Sequence, residues 1–332
     1  MEGVELLGSF QLSESVKSPK AKTEPAIIVR NLVKKYGDFV AVNDVSFSIK
    51  EGEIFGIIGP NGAGKTTTVE CISGLRVPDS GSVSIFGLSP LKDRNKIRKF
   101  LGVQLQQSAM PPRLKVGEAV ELFASFYSDP LDPNDLLETL GIKDIKNSMF
   151  KNLSGGQKQR LSISLALIGN PRIAILDELT TGLDPEARRE TWTLIEGIRD
   201  RGVTVILVTH FMDEAERLCD RLALINHGKL GVLDTPEAIA ALAGGNRLRF
   251  VPSEPVDDKT LYAIPGVTGV ERKERYITVT GTGDLAMSVI NSLAKIGVHV
   301  SDIEARGGNL DDAFVKLTKE EPPNDSRGVA KP

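Results

Sequence analysis

The stretch Ile54 to Thr68 reads I-F-G-I-I-G-P-N-G-A-G-K-T-T-T, and Gly59, Gly64, Lys65 and Thr66 stand in it at the spacing G-x-x-x-x-G-K-[ST]. That spacing suits phosphate binding. Glycines let backbone N–H groups converge on phosphate oxygens, a helix beginning near Lys65 turns its positive end to the same anion, and the lysine adds a mobile cation. Thr66 offers a hydroxyl to Mg²⁺. A glycine turn that merely joins strand to helix is the plainer reading. Against it, the apolar run Ile54–Ile58 is what a buried parallel strand requires, and strand and turn arrive in the needed order.

Three further stretches repeat or complete this chemistry. Leu153-Ser154-Gly155-Gly156-Gln157-Lys158-Gln159-Arg160 puts a hydroxyl and two glycines before a helix expected from Gln157 to Ile168, another arrangement that presents N–H groups to an anion. A bare Ser-Gly-Gly is more often a flexible turn or a helix cap; the full octet is more specific. Ile173–Leu176 is an apolar strand that ends in Asp177 and Glu178. Alone these are solvated charges at a strand end. Beside a phosphate loop, Asp177 becomes a partner for Mg²⁺ and Glu178 the group that polarises an attacking water.

The strand Val203–Thr209 ends at His210. A lone histidine is usually structural, and that reading holds for His227 and His299. His210 differs because it follows a buried strand at the end of the sheet where α/β proteins bind ligands, within reach of a γ-phosphate. Tyr36, shortly before the phosphate loop, is either an exposed turn residue or an aromatic face for a purine.

The surrounding elements follow from pattern. Residues 1–25 are rich in Ser, Lys and Glu, too polar to offset chain entropy, and are expected to be a mobile tail. Ala26–Arg30 and Val42–Ile49 alternate like antiparallel strands, Thr67–Leu75 continues as a helix, and Gly81–Gly87 reads as a short strand. Helical periodicity from Val116 to Tyr127, after the loop Met110-Pro111-Pro112, predicts a helical insertion over about 107–150. From Asn246 the order becomes β-α-β-β-α-β over 246–318, a ferredoxin-like pattern suited to packing or dimerisation. Residues 319–332 are polar and again expected to be disordered.

With 332 residues, 40% hydrophobic and 26% charged, the chain has material for one large domain and a smaller one. A net charge of −3 offers no footprint for nucleic acid, which is discounted as a partner. Cys71 and Cys219 lie in apolar helical patterns, so buried free thiols in a reducing compartment are expected. No apolar run reaches the roughly 18 residues of a membrane span, and no signal peptide is evident.

Taken in order, these residues resemble the nucleotide-binding subunit of ABC transporters from about Ile28 to Leu242. The resemblance implies an α/β P-loop NTPase of ABC type over 26–242, with a mixed sheet core, an antiparallel β subdomain and a helical subdomain, followed by the small α+β domain. It assigns Tyr36 to adenine stacking and Gly59, Pro60, Asn61, Gly62, Ala63, Gly64, Lys65, Thr66 and Thr67 to the phosphates of ATP. Ser154, Gly155, Gly156 and Gln157 become the family signature, and Gly182-Leu183-Asp184 the D-loop. Asp177 with Thr66 and Gln106 would hold Mg²⁺, while Glu178, His210, Lys65 and Gln106 carry hydrolysis.

Gln104, Gln106 and Gln107 crowd the Q-loop, and Gln106 is chosen on its spacing from Leu101-Gly102. Leu179 replaces the family's usual proline. In such proteins two domains face head to tail, each ATP held between the phosphate loop of one and the signature of the other. A second ATP-binding subunit and a multi-span permease are therefore implied as partners, with the chain peripheral on the cytoplasmic face of the membrane. Gly308–Phe314 resembles the terminal motif of a daunorubicin-resistance type branch that exports drugs, antibiotics or polysaccharides through separate permeases. The other readings are a non-transport ABC ATPase that remodels a complex, or an importer subunit.

Overall fold

The computed structural model of the chain describes residues 25–104, 110–242 and 246–319. The expectations for residues 1–24, for Gln106 and for residues 320–332 lie outside the described residues. Two compact units divide between Leu233 and Asp234. The boundary expected from the sequence, after residue 242, falls one short helix later.

The first unit opens with a hairpin of β1 (Ile27–Tyr36) and β2 (Phe39–Ile49), then β3 (Ile54–Ile58), α1 (Lys65–Ile72), β4 (Ser80–Ile85), α2 (Arg94–Ile97) and β5 (Leu101–Gln104). The helical insertion supplies α3 (Val116–Ala124), α4 (Pro133–Thr139) and the start of α5 (Gly155–Leu167). The chain then alternates β6 (Ile173–Asp177), α6 (Pro185–Asp200), β7 (Thr204–Thr209), α7 (Met212–Leu218), β8 (Arg221–Asn226) and β9 (Lys229–Asp234).

β1 lies between β2 and β4 in a three-stranded antiparallel sheet, while a six-stranded sheet runs β5-β6-β7-β3-β8-β9. Every residue of β3, β6 and β7 is buried, as expected of central strands covered on both faces. β5, β6, β7, β3 and β8 pair in parallel, with Ile58 beside Thr209 and Asp177 beside Val208. That register decides the chemistry. Three neighbouring strands end level, so the phosphate loop after β3, Glu178 after β6 and His210 after β7 emerge at one edge.

The second unit begins with α8 (Pro236–Ala241), followed by β10 (Asn246–Pro252), α9 (Asp258–Tyr262), β11 (Val267–Lys273), β12 (Tyr276–Gly281), α10 (Leu285–Lys295), β13 (Val300–Arg306) and α11 (Leu310–Lys319). From β10 to β13 this is the β-α-β-β-α-β order, built on an antiparallel sheet β11-β12-β10-β13. Alternate residues Leu248, Phe250, Ile277 and Val279 face Val289 and Leu293 of α10 in its core. Within this unit α11 packs on α8, and Lys316 Nζ donates to the Leu242 carbonyl at 3.1 Å.

Candidate functional site

The phosphate loop is held in shape by its own chain. Gly59, Gly62 and Gly64 have φ of 156°, 80° and 102°. A Cβ added to Gly59 would stand 2.1 Å from the Ile225 carbonyl oxygen, and one on Gly64 2.2 Å from that of Ala41. No side chain caps α1, so its first N–H groups are the donors such a loop offers an anion. Lys65 is buried and its Nζ donates to the carbonyls of Gly59 (2.8 Å) and Pro60 (3.1 Å). Burial lowers its pKa, and the nearby Glu178 and Asp177 act the other way.

Asp177 is fully buried at the end of β6. Burial, then the neighbouring Glu178, pushes its pKa up to about 6, while Lys65 and the Thr66 hydroxyl act to lower it. Neither carboxylate oxygen has a hydrogen-bond partner among the described residues. An unsatisfied buried carboxylate is costly, and here it lies beside a cation and a hydroxyl. The set fits a divalent cation held by one carboxylate, one hydroxyl and the oxygens of a bound phosphate. Among the described residues no cluster of three or more His, Cys, Asp or Glu forms a metal cage. The backbone at Asp177 is fixed by Gln104, whose buried Oε1 accepts from the Asp177 N–H at 3.1 Å. The sequence reading weighed this glutamine and set it aside for Gln106.

Glu178 has φ of 50°, a left-handed backbone that costs a non-glycine residue about 1–3 kcal/mol and collects at functional sites. The neighbouring strand holds it there, since the Glu178 N–H donates to the Val208 carbonyl at 2.9 Å. Leu179, in the place of the family's proline, is fully buried. Glu178 Oε1 lies 3.4 Å from His210 Nδ1.

Around these groups is a cavity of about 620 Å³ lined by Tyr36, Phe39, Ala41, residues 61–67, Glu178, Thr181 and His210. The structure thus brings together the phosphate loop, the carboxylate, the histidine and the aromatic residue singled out in the sequence. Phe39, Ala41 and Thr181 were missed. Phe39 faces Tyr36 across the two-residue turn Gly37-Asp38, and the two are 62% and 41% exposed. Aromatics flanking a tight turn were the available signal. The Tyr36 ring also carries the Arg76 guanidinium at 5.2 Å and Lys34 Nζ at 5.7 Å from its centroid. A larger depression of about 730 Å³, around Arg98, Lys99, Phe126, Tyr127 and Asp129, includes neither a glycine loop nor a carboxylate pair.

Ser154, Gly155, Gly156, Gln157 and Asp184 do not line the cavity. Ser154 caps α5: its Oγ accepts from the Gln157 N–H at 3.3 Å, and Gln157 Oε1 accepts from the Ser154 N–H at 3.0 Å. Asp184 caps α6, Oδ1 accepting from the N–H groups of Glu186 (3.0 Å) and Ala187 (2.9 Å).

This arrangement can bind a nucleoside polyphosphate and aim a water at it, and similarity to known proteins leads to the same place. The ABC transporter family model matches residues 42–181. The Daunorubicin resistance ATP-binding protein DrrA3 of Streptomyces coeruleorubidus is 31% identical over 304 residues, which cover 89% of this chain and 96% of that protein. The probable multidrug ABC transporter ATP-binding protein YbhF of Escherichia coli is 39% identical over 249 residues, 72% of this chain but only 43% of YbhF, so the chain spans less than half of that relative. Among solved structures, the dimeric bacterial ABC transporter cassette MJ0796 superposes with a TM-score of 0.58 at 32% identity, over 63% of this chain and 98% of that one. A relative matched almost end to end, together with a phosphate loop that faces a carboxylate and a histidine, places the chain in the family of ABC transporter ATP-binding subunits.

Proposed function

We propose that this chain is the ATP-hydrolysing subunit of an ABC exporter, coupling nucleotide-driven pairing of two such subunits to transport through a separate membrane permease. The observation that carries this reading is the cavity in which the phosphate loop, Glu178 and His210 meet beneath Tyr36 and Phe39. The aromatic pair takes the adenine face. Backbone N–H groups of residues 62–66 and the Lys65 ammonium meet the phosphates. Thr66, Asp177 and Gln106 would hold Mg²⁺, which when bound neutralises charge on the phosphate oxygens.

Glu178 accepts hydrogen bonding from the attacking water and draws its proton away. His210, beside it, donates to a γ-phosphate oxygen and holds the carboxylate in line.

Ser154, Gly155, Gly156 and Gln157 lie outside the cavity at the start of α5, with Asp184 at the start of α6. A second ATP-binding subunit, the same chain or a homologue, gives them a nucleotide to contact. Among the described residues no helix is long and apolar enough to cross a membrane; in this reading a multi-span permease supplies the spans and holds the chain on the cytoplasmic face. Relatives named for daunorubicin resistance and for Nod factor export support a drug, antibiotic, lipid or polysaccharide as cargo.

The test is affinity purification of tagged Glu178→Gln protein from detergent-solubilised membranes with ATP present. That variant is expected to bind ATP at wild-type affinity, hydrolyse none and retain a multi-span membrane protein. Recovery of soluble partners alone would overturn the exporter reading, and wild-type turnover by the variant would remove Glu178 from the mechanism.

A further inference from the structure

Tyr36 ends β1, lines the cavity and is 41% exposed, so an unsupported ring there would turn between several rotamers. Two cations meet it. The Arg76 guanidinium stands 5.2 Å and Lys34 Nζ 5.7 Å from the ring centroid, both within the roughly 6 Å over which an aromatic face attracts a cation. Neither residue lines the cavity, so both reach the ring from outside it and leave the cavity side to a ligand.

Arg76 is itself held. Its Nε donates to Glu70 Oε2 at 2.5 Å, and its backbone N–H donates to the Glu70 carbonyl at 3.0 Å. Glu70 lies on α1, the helix whose first turn closes the phosphate loop. Lys34 is tied to the connection that follows α1: its Nζ donates to Asp79 Oδ1 at 3.3 Å, and the Lys35 N–H donates to Asp79 Oδ2 at 2.6 Å. The pairing of β4 with β1 sets this approach, with Ser80 beside Val33.

A surface ion pair such as Arg76 with Glu70 does little for stability. What it does is fix a guanidinium that would otherwise sample many rotamers, and a planar guanidinium can stack on a ring while its Nε–H is engaged at the edge.

We propose that Arg76 is a positioning residue for the base of the nucleotide: anchored to Glu70, it holds the Tyr36 ring in the orientation that lines the cavity. One helix then sets both ends of the ligand, the phosphates through its first N–H groups and the base through Glu70 and Arg76. The role rests on the reading above in which Tyr36 takes adenine. It belongs to affinity for the base and leaves the phosphates alone.

The experiment titrates ATP and inorganic triphosphate against the full-length protein as wild type, Arg76→Met, Arg76→Lys, Tyr36→Ala and the double variant of Arg76→Met with Tyr36→Ala. The Arg76 side chain is 38% exposed, so methionine in its place leaves the core intact. Arg76→Met is expected to weaken ATP binding about three- to fivefold, the range of one exposed cation–π contact, with triphosphate affinity unchanged. Arg76→Lys keeps a cation at the ring and is expected to stay within about twofold of wild type. In the Tyr36→Ala background Arg76→Met is expected to cost nothing further, because the ring it would release is gone.

Wild-type ATP affinity in Arg76→Met overturns the role. So does a loss of the same size in triphosphate binding, which would place the effect in the phosphate loop, or an undiminished loss in the Tyr36→Ala background, which would place Arg76 on the nucleotide itself. Failure of the underlying reading looks different: Tyr36→Ala would then bind ATP at wild-type affinity, which removes the base from that ring and the positioning role with it.

Discussion

Two glycine turns precede helices in this chain, and they are built under different constraints. In the phosphate loop, Cβ atoms on Gly59 and Gly64 would stand 2.1 and 2.2 Å from backbone oxygens of the same unit, and both residues have positive φ. In the signature turn, Cβ atoms on Gly155 and Gly156 would stand 3.6 Å from Leu183 and 3.5 Å from Ala187, ordinary van der Waals contact, and neither residue has positive φ. The fold of the subunit therefore demands glycine in the first turn and not in the second. If glycine is needed at 155 and 156, the need comes from something the second turn meets outside its own subunit.

The largest effect is expected where both demands coincide. Gly64→Ala forces a methyl group against the Ala41 carbonyl and strains the backbone, so it should destabilise the unit by several kcal/mol and abolish ATP binding. Thermal unfolding and nucleotide titration check this. Wild-type stability would show that the loop's glycine is not set by its own chain.

Gly156→Ala is the matched opposite. An alanine in the first turn of a helix replaces a residue that is worse by about 0.5–1 kcal/mol, so stability should hold or rise. Turnover should nevertheless fall about a hundredfold, a catalytic loss of about 3 kcal/mol, if that turn closes on the nucleotide of a second subunit. Unchanged turnover would break the comparison and leave the second turn an ordinary helix start.

Cys71 extends the contrast to what lies beneath each turn. It sits on α1, behind the phosphate loop, where burial pushes its thiol up to about 11 from 9.0. At pH 8 it should hold about a hundredfold less thiolate than an ordinary cysteine, with alkylation slowed to match. A raised thiol pKa also means that the rate should climb about tenfold per pH unit beyond pH 9, where a free thiol has levelled off. Alkylation of native protein at the rate of a free thiol at pH 8 would show that α1 is not closed over by its own unit. Gly64→Ala is expected to speed the reaction and Gly156→Ala to leave it alone.

The same contrast explains which parts of the molecule are legible in its sequence. Strand, phosphate loop and helix form a local unit whose residues are close in sequence: Gly59, Gly64, Lys65 and Thr66 follow from spacing, and the resemblance to the family extends the assignment over Gly59 to Thr67. The carboxylate pair and His210 were legible because buried strands precede them. Groups that meet only through the sheet order were not. Phe39 required the hairpin register, Thr181 the turn after Glu178, and Arg76 the pairing of β4 with β1, none of which leaves a periodic trace in the sequence. The ferredoxin-like order of the second unit was visible from alternation. The end of the first unit was not, because α8 joins the second unit through its packing on α11, a contact distant in sequence.

A smaller effect probes the side of the site that one subunit completes by itself. Tyr36→Ala should weaken ATP binding about tenfold, near the 1.4 kcal/mol of a lost aromatic contact, and Phe39→Ala by less. Binding to isolated subunits is the measurement. A loss seen only in paired subunits would move the adenine site to the interface and blur the distinction between the two turns.

The smallest effect separates the two jobs of Ser154. Its hydroxyl accepts the Gln157 N–H at 3.3 Å and so caps α5, a contact whose removal by alanine costs about 1 kcal/mol, whereas glycine at the same position costs only a few tenths. If capping were the whole role, Ser154→Gly would restore both stability and turnover relative to Ser154→Ala. If the hydroxyl also meets a nucleotide across the pair, glycine restores stability and leaves turnover as low as in alanine. Denaturant unfolding and kcat on the two variants give that answer directly, because the cap is internal to α5 whereas the second contact requires another subunit.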